Sequence, residues 1–401
     1  MSYEPSDQIL KNYADVLVKF ALWGGKGINK GDVVCVSIEE SAKPMLKHLQ
    51  RSILEAGGHM LLRYHPEGIG RDFYELANED QLNWMPQDYM LERLNVCDHF
   101  LSIISTDDKL ELEGVDSEKI MDRSKAGKFY SDAFRDKVNA EKASWTLGLY
   151  GTENMAKDVG MSKEEYWEQI IRACFLDEKD PIAKWQEVFA QVEDARAWLN
   201  SMEIEWLHVK GEDADLKVKI GEGREWLGGS GCNIPSFELF ISPDFRGTEG
   251  WIRFDQPLYR YGSLIEGVEL EFKDGKVTKS SATKNEKLLK DMIAVEGADQ
   301  IGEYSLTDKR FSRITRFMGE TLYDENVGGE FGNTHLAVGS AYRESYPGDT
   351  DGFTEEDWDR LGYNNSVVHT DIVSTKDRTV TATLKDGSEK VIYQNGMFTM
   401  N

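Results

Sequence analysis

The chain has 401 residues, 40% of them hydrophobic and 30% charged, a composition that describes a folded globular protein rather than a disordered or fibrous one. A length above the ~250–300 residues that one core usually fills predicts two domains. The formal net charge of −25 argues against nucleic acid or an anionic membrane as partner, because both bind through clustered Lys and Arg, and it suits cationic or zwitterionic substrates.

No stretch approaches the ~18–20 consecutive apolar residues that span a bilayer, and the opening Met1-Ser-Tyr-Glu-Pro lacks a basic and then apolar leader. The expectation is a soluble, cytoplasmic protein. Cys35, Cys97, Cys174 and Cys232 lie far apart with no C-x-x-C, so they are expected to be reduced and mostly buried.

Between residues 7 and 23, Ile9, Leu10, Tyr13, Val16, Leu17, Phe20 and Ala21 recur at helical spacing, and Gly24-Gly25 closes that helix. Residues 33–36 read as a buried strand, 41–56 as a helix ended by Gly57-Gly58, and 60–64 and 99–104 as further strands. Strands alternating with helices predict a Rossmann-like parallel sheet. The turn after the first strand, Ser37-Ile-Glu-Glu-Ser41, has no phosphate-cradling glycine and carries two acids, so this domain is expected to be a scaffold without a nucleotide.

Residues 162–200 predict two helices, the second starting at Asp180-Pro181. From Ile204 onward strands dominate, over 204–209, 215–220, 239–241, 251–254, 268–272, 367–373 and 379–384. The expected fold class is α/β: an N-terminal Rossmann-like parallel-sheet domain over residues 1–200 and a C-terminal α+β catalytic domain over 201–401.

Between Gly231 and Asp371, acids and imidazoles recur at the ends of apolar stretches. They are Glu238 in Asn233-Ile-Pro-Ser-Phe-Glu238, Glu303 in Ile301-Gly-Glu303, Glu325 in Asp324-Glu-Asn326, His335 in Thr334-His-Leu-Ala-Val-Gly339, and the pair in His369-Thr-Asp371. Such donors suit Zn²⁺, Mn²⁺ or Co²⁺ and exceed what one tetrahedral ion needs, which points to a two-metal hydrolase.

Each signal alone has a plainer reading. Glu238 reads equally as a turn acid, Glu303 as a solvated acid at a helix end reached through a small-residue loop, and His335 as a core histidine on a strand or helix start. His369 and Asp371 are two apart and share a face if extended, so they could simply bond each other. In the glycine-rich loop, Glu330 competes with Glu325 as a general base. H-E-x-x-H, a G-x-S-x-G elbow and a Cys beside a His are all absent from the sequence.

Taken together, Tyr13-Ala-Asp-Val-Leu-Val18, Asn154-Met-Ala-Lys-Asp158, Asp180-Pro181, Asp215-Leu216, Arg224-Glu-Trp226, Asn233-Ile-Pro235 with Glu238, Gly302-Glu303, Asp324-Glu-Asn326, His335-Leu-Ala-Val-Gly339 with Tyr342, and His369-Thr-Asp371 run in the order of a known family. The chain resembles the metal-dependent aminopeptidase T family from about residue 11 to 384. The resemblance implies metal binding by Glu238, Glu303, His335, His369 and Asp371, and active-site roles for Glu325 and Tyr342. It further implies a pair of divalent ions, peptide substrates with a free N-terminus, and a homodimer. Ser236-Phe237 stands where Asp-Gly is common in that family. A metal-dependent amidase or deacylase and a metal-binding module without turnover are the rival readings.

Overall fold

The structure, a computed structural model, describes residues 3–260, 263–350 and 352–400. It divides into two compact units, Met1–Gln186 with Ser230–Ile234, and Glu187–Gly229 with Pro235–Asn401. The division falls inside the helix Pro181–Asn200, where the sequence reading put a boundary after residue 200. Ser230–Ile234 belongs with the first unit because Leu147 N–H donates to Cys232 O at 2.8 Å and Ile234 N–H to Leu147 O at 2.9 Å.

In the first unit the strands are β1 (Val33–Glu39), β2 (His59–His65), β3 (His99–Ile104) and β4 (Ser144–Leu149). They pair in parallel in the order β2-β1-β3-β4, the Rossmann-like sheet expected from the alternation of strands and helices. β4 had no distinct sequence signal. The opening helix Asp7–Val16 starts at Ser6, whose hydroxyl accepts from Ile9 N–H. It widens into a π turn over Leu17–Ala21, and the chain then reverses through positive φ at Trp23 and Gly24, so the predicted single helix is shorter and broken.

The second unit holds β5 (Ile204–Gly211), β6 (Ala214–Lys219), β7 (Glu238–Ile241), β8 (Glu249–Arg253), β9 (Leu258–Arg260), β10 (Ser263–Ile265), β11 (Glu269–Lys273), β12 (Lys276–Ser281), β13 (Ile301–Thr307), β14 (Asn333–Gly339), β15 (His369–Ser374), β16 (Arg378–Leu384), β17 (Glu389–Gln394) and β18 (Met397–Phe398). An antiparallel sheet of eight strands runs β12-β11-β8-β6-β5-β16-β17-β18, and a second of four runs β15-β14-β13-β7. The smaller sheet positions the site. Every residue of β13 and β14 is buried, so both faces of these strands lie inside the protein.

Candidate active site

Pairing register decides which side chains share a face of the β15-β14-β13-β7 sheet. Glu238 opposes Thr307, Phe240 opposes Ser305, Ser305 opposes His335, and His335 opposes Val373. Glu303 opposes Ala337, which opposes Asp371, while Gly339 opposes His369. Directly paired residues point the same way and alternate along each strand, so Glu238, Glu303, His335, His369 and Asp371 all project from one face. Between them stand Ser305, Ala337 and Gly339, small enough to leave room above the sheet for the longer side chains.

Three local features aim these groups. A register shift between Ile301 and Glu303 bulges β13 just where Glu303 turns toward the face. At Gly302 a Cβ would overlap the carbonyl oxygens of Gly339 and Ser340, so only glycine lets β13 and β14 approach there. Likewise a Cβ at Gly228 would overlap the Glu238 carbonyl oxygen, which gives the glycine run before Glu238 a packing reason. Phe237 N–H donates to Asn326 Oδ1 at 2.7 Å, fixing the backbone entering Glu238 despite the unusual Ser236-Phe237.

The side chains converge as two groups that share one member. Glu238, Glu303 and His335 have ligand atoms all within 4.8 Å of one another, and so do Glu303, His369 and Asp371. His335 Nε2 lies 3.0 Å from Glu303 Oε1 and 3.2 Å from Glu238 Oε2. On the other side, His369 Nε2 lies 3.7 Å from Glu303 Oε2 and 3.4 Å from Asp371 Oδ1. Each oxygen of Glu303 therefore faces a different imidazole. His369 Nδ1 sits 2.7 Å from Ser340 O, an acceptor only, so this nitrogen keeps its proton and Nε2 is the one that offers a lone pair when the ring is neutral.

Burial makes this cluster electrostatically crowded. Desolvation pushes the Glu238 carboxyl up to about 8, with Glu303 and Asp371 reinforcing and His335 opposing. Glu325 is driven well above the usual carboxylate range, first by burial and then by Glu238, Asp371, Glu303 and Asp324. Burial alone would lower both imidazoles, yet Glu303 and Glu238 raise His335 to about 9, and Asp371 and Glu303 raise His369 to about 9. Asp371 is desolvated too, but His369 holds it down at about 2.

Glu325 caps the short helix Thr321–Asp324 and is buried among the other acids, whereas Glu330, five residues on, is exposed. The structure thus brings Glu325 to the cluster and leaves Glu330 outside it. Tyr342 is 41% exposed, and its backbone N–H donates to Ser242 Oγ at 2.8 Å. The ring lies 4.8 Å from His369 and 5.5 Å from Phe240. Desolvation, then Glu303, Asp371, Glu325 and Glu238, keep its phenol protonated.

The sequence matches the model of the thermophilic metalloprotease (M29) family over residues 6–398. The chain belongs to that family. Aminopeptidase AmpS of Bacillus subtilis is 27% identical, with 97% of this chain and 98% of the relative covered. Aminopeptidase T of Thermus thermophilus is 28% identical, with 96% and 98% covered. A solved structure described as wild-type AmpT from Thermus thermophilus is similar with a TM-score of 0.84 at 25% identity, covering 98% of this chain and 99% of that one. The aminopeptidase T resemblance and the mixed α/β fold expected from the sequence both stand.

Two sequence expectations about the site need correcting. Glu303 is in a fully buried strand rather than a loop or helix end, because Tyr304 and Leu306 alternate with it on the apolar side. The strand carrying His369 begins at that residue, not at Val367, which is 94% exposed; Ser366 Oγ accepts from Val368 N–H and holds a turn there. Sequence reasoning assigns no role to Asn326, quoted only within its motif, which anchors the entry to Glu238, and does not single out Phe240, which the alternation from Glu238 would have found. Among the described residues no helix is long and apolar enough to cross a membrane.

Proposed function

We propose that this metalloprotease is an aminopeptidase in which Glu238, Glu303 and His335 hold one divalent ion and Glu303, His369 and Asp371 hold a second. The observation that carries this reading is the shared carboxylate, with one Glu303 oxygen toward each imidazole. Charge supports it. Once deprotonated for metal binding, the four buried acids Glu238, Glu303, Glu325 and Asp371 with neutral imidazoles sum to −4, and two divalent cations would offset that. The donor set also fits: His369 already presents Nε2, and mixed imidazole and carboxylate donors suit Zn²⁺, Co²⁺ or Mn²⁺.

When bound, the ions would supply Lewis acidity, lowering the pKa of a water and polarising the scissile carbonyl. In its ionised form Glu325 takes a proton from the attacking water, and the burial that raises its proton affinity suits it to hold that proton until it passes to the leaving amine. Tyr342, protonated and beside His369, donates to the oxygen on which charge develops. The free α-amine of a peptide pairs with the acid-rich face, which orients the carbonyl. A homodimer, on the strength of the resemblance, and a cytoplasmic setting, as expected from the sequence, complete the proposal.

The test compares leucine p-nitroanilide with its N-acetyl derivative at equal metal loading. Turnover of the free amine alone, abolished by chelation with the fold retained, is the expected result. Comparable rates for both substrates would replace the aminopeptidase by a general amidase.

A further inference from the structure

The parallel sheet of the first unit also has two unlike faces. Val34, Val36 and Ile38 of β1 and Leu101 and Ile103 of β3 point one way and are 0–2% exposed. The residues between them point the other way and line a cavity of about 370 Å³, bounded also by Tyr130 and Phe134 of the helix Ser117–Asn139. That size lies within the ~300–1,000 Å³ of small-ligand sites.

Register orders the lining into two rows. Ser37 opposes Arg63 on β2 and Ser102 on β3, so a guanidinium and two hydroxyls stand side by side. In the next row, Cys35 opposes Phe100, which opposes Trp145. Phe134 closes on Phe100 edge to face with ring centroids 5.0 Å apart. One row is polar and cationic, and the other is aromatic.

The cation lacks a countercharge. Arg63 is exposed on the edge strand β2, and its guanidinium makes no ion pair among the described residues. Arg93, stacked over the Tyr130 ring at 5.5 Å, also has no carboxylate partner among the described residues, and its Nε is buried and unpaired. In a chain with 72 acids and 47 bases, one arginine lining the cavity and a second stacked on its Tyr130 wall, both without carboxylates, make this end of the sheet locally cationic. The Cys35 thiol is held at about 7 against its burial, first by Cys97 and only then by Arg93 and Arg63. His65 Nε2 lies 2.9 Å from Ser37 Oγ, and in the tautomer protonated there it leaves the Ser37 proton free to point into the cavity.

We propose that this cavity binds a small aromatic carboxylate, its ring against Phe100, Phe134 and Trp145 and its carboxylate on Arg63 with Ser37 and Ser102 donating. Aromatic walls supply contact area, and a planar guanidinium matches a carboxylate in two parallel hydrogen bonds. Nothing in this site depends on the aminopeptidase reading.

The experiment is calorimetric titration of the full chain with 1-naphthoate and, separately, with its cationic counterpart 1-naphthylmethylamine, for wild type, Arg63→Gln and Arg63→Glu. Leucine p-nitroanilide turnover and the melting temperature, both expected to be unchanged in the variants, monitor fold and the separate active site. Wild type should bind the carboxylate and not the amine, and Arg63→Gln should weaken binding by about tenfold or more, the worth of a charge-assisted hydrogen bond. Arg63→Glu should abolish it; should that variant melt early, Arg63→Gln alone carries the test. No binding of 1-naphthoate at millimolar concentration, equal binding of the amine, or undiminished affinity in a folded variant would each overturn the proposal.

Discussion

The two faces of the β15-β14-β13-β7 sheet are made by the same strands and carry opposite chemistry. Behind, Leu239, Leu306, Leu336 and Ile372 are 0–1% exposed and pack as an ordinary apolar layer. In front, the alternate residues of the same strands bring Glu238, Glu303, His335 and Asp371 together with little solvent around them. The acids in front repel one another, so they cannot hold the sheet; the apolar layer behind does that and fixes the backbone on which they stand. Stability and function are thus separated by one residue of strand period, and mutations should separate them too.

The largest effect is expected in front. Glu303→Ala removes the one carboxylate that both groups use, so activity on leucine p-nitroanilide should fall by ~10⁴-fold or more, as when a group on which others depend is lost. Metal content should fall with it, and above about pH 9, where His335 and His369 have lost the charges that Glu303 faces, the metal-free variant should melt no lower than metal-free wild type, because a repelling acid has gone. A markedly lower melting temperature would mean that the front face does stabilise the fold.

Glu325→Gln should lower kcat by ~10²–10⁴-fold while metal content stays at the wild-type level, as expected for loss of a general base. Glu330→Gln, on the exposed turn, should leave the rate within about twofold. The reverse pattern would move the proton-carrying role to Glu330.

Behind the sheet, Leu306→Ala should cost ~2–5 kcal/mol in denaturant unfolding, the usual range for a buried leucine, with kcat changed only a few-fold. A collapse of kcat at undiminished stability would contradict the division of labour.

How much of this was legible in the sequence follows from the same alternation. His369 and Asp371 could be read as neighbours because their strand is half-buried and keeps its period of two. Glu303 and His335 were not placed on a face: Glu303, Ser305 and Thr307 do alternate with Tyr304 and Leu306 in β13, but both sides of the strand are buried, and in β14 the polar run Asn333-Thr-His335 has no period of two. What recovered them was the order of motifs along the chain. Glu325 against Glu330 was beyond the sequence altogether, because a glycine-rich loop has no period and only the turn after Thr321–Asp324 sends one acid inward. In the first unit, the alternation of strands with helices was enough for a parallel sheet, while the cavity on its mixed face depends on the register of four strands and a distant helix.

A smaller, graded effect should come from pH. His335 and His369 sit at about 9 against an ordinary 6.5, so in the metal-free protein their contribution to stability is full below about pH 6.5 and lost as pH rises through 9. Glu238, at about 8 against 4.5, acts in the same direction, losing its preferred proton as pH rises through 8. Asp371, at about 2 against 3.8, contributes above 3.8 and loses that only as pH falls through 2, outside this window. Metal-free protein should therefore melt lower at pH 9 than at pH 6.5. Added Zn²⁺ or Mn²⁺ should raise the melting temperature more at pH 9, where protons no longer compete for the ligands. A pH-independent gain would show that these groups do not bind the ion.

The central claim is that one carboxylate serves two ions, and anomalous diffraction from crystals of the metal-loaded protein tests it most directly. The account predicts two peaks, one among Glu238, Glu303 and His335 and one among Glu303, His369 and Asp371, with Glu303 in contact with both. A single peak, or two peaks of which one does not touch Glu303, would contradict it.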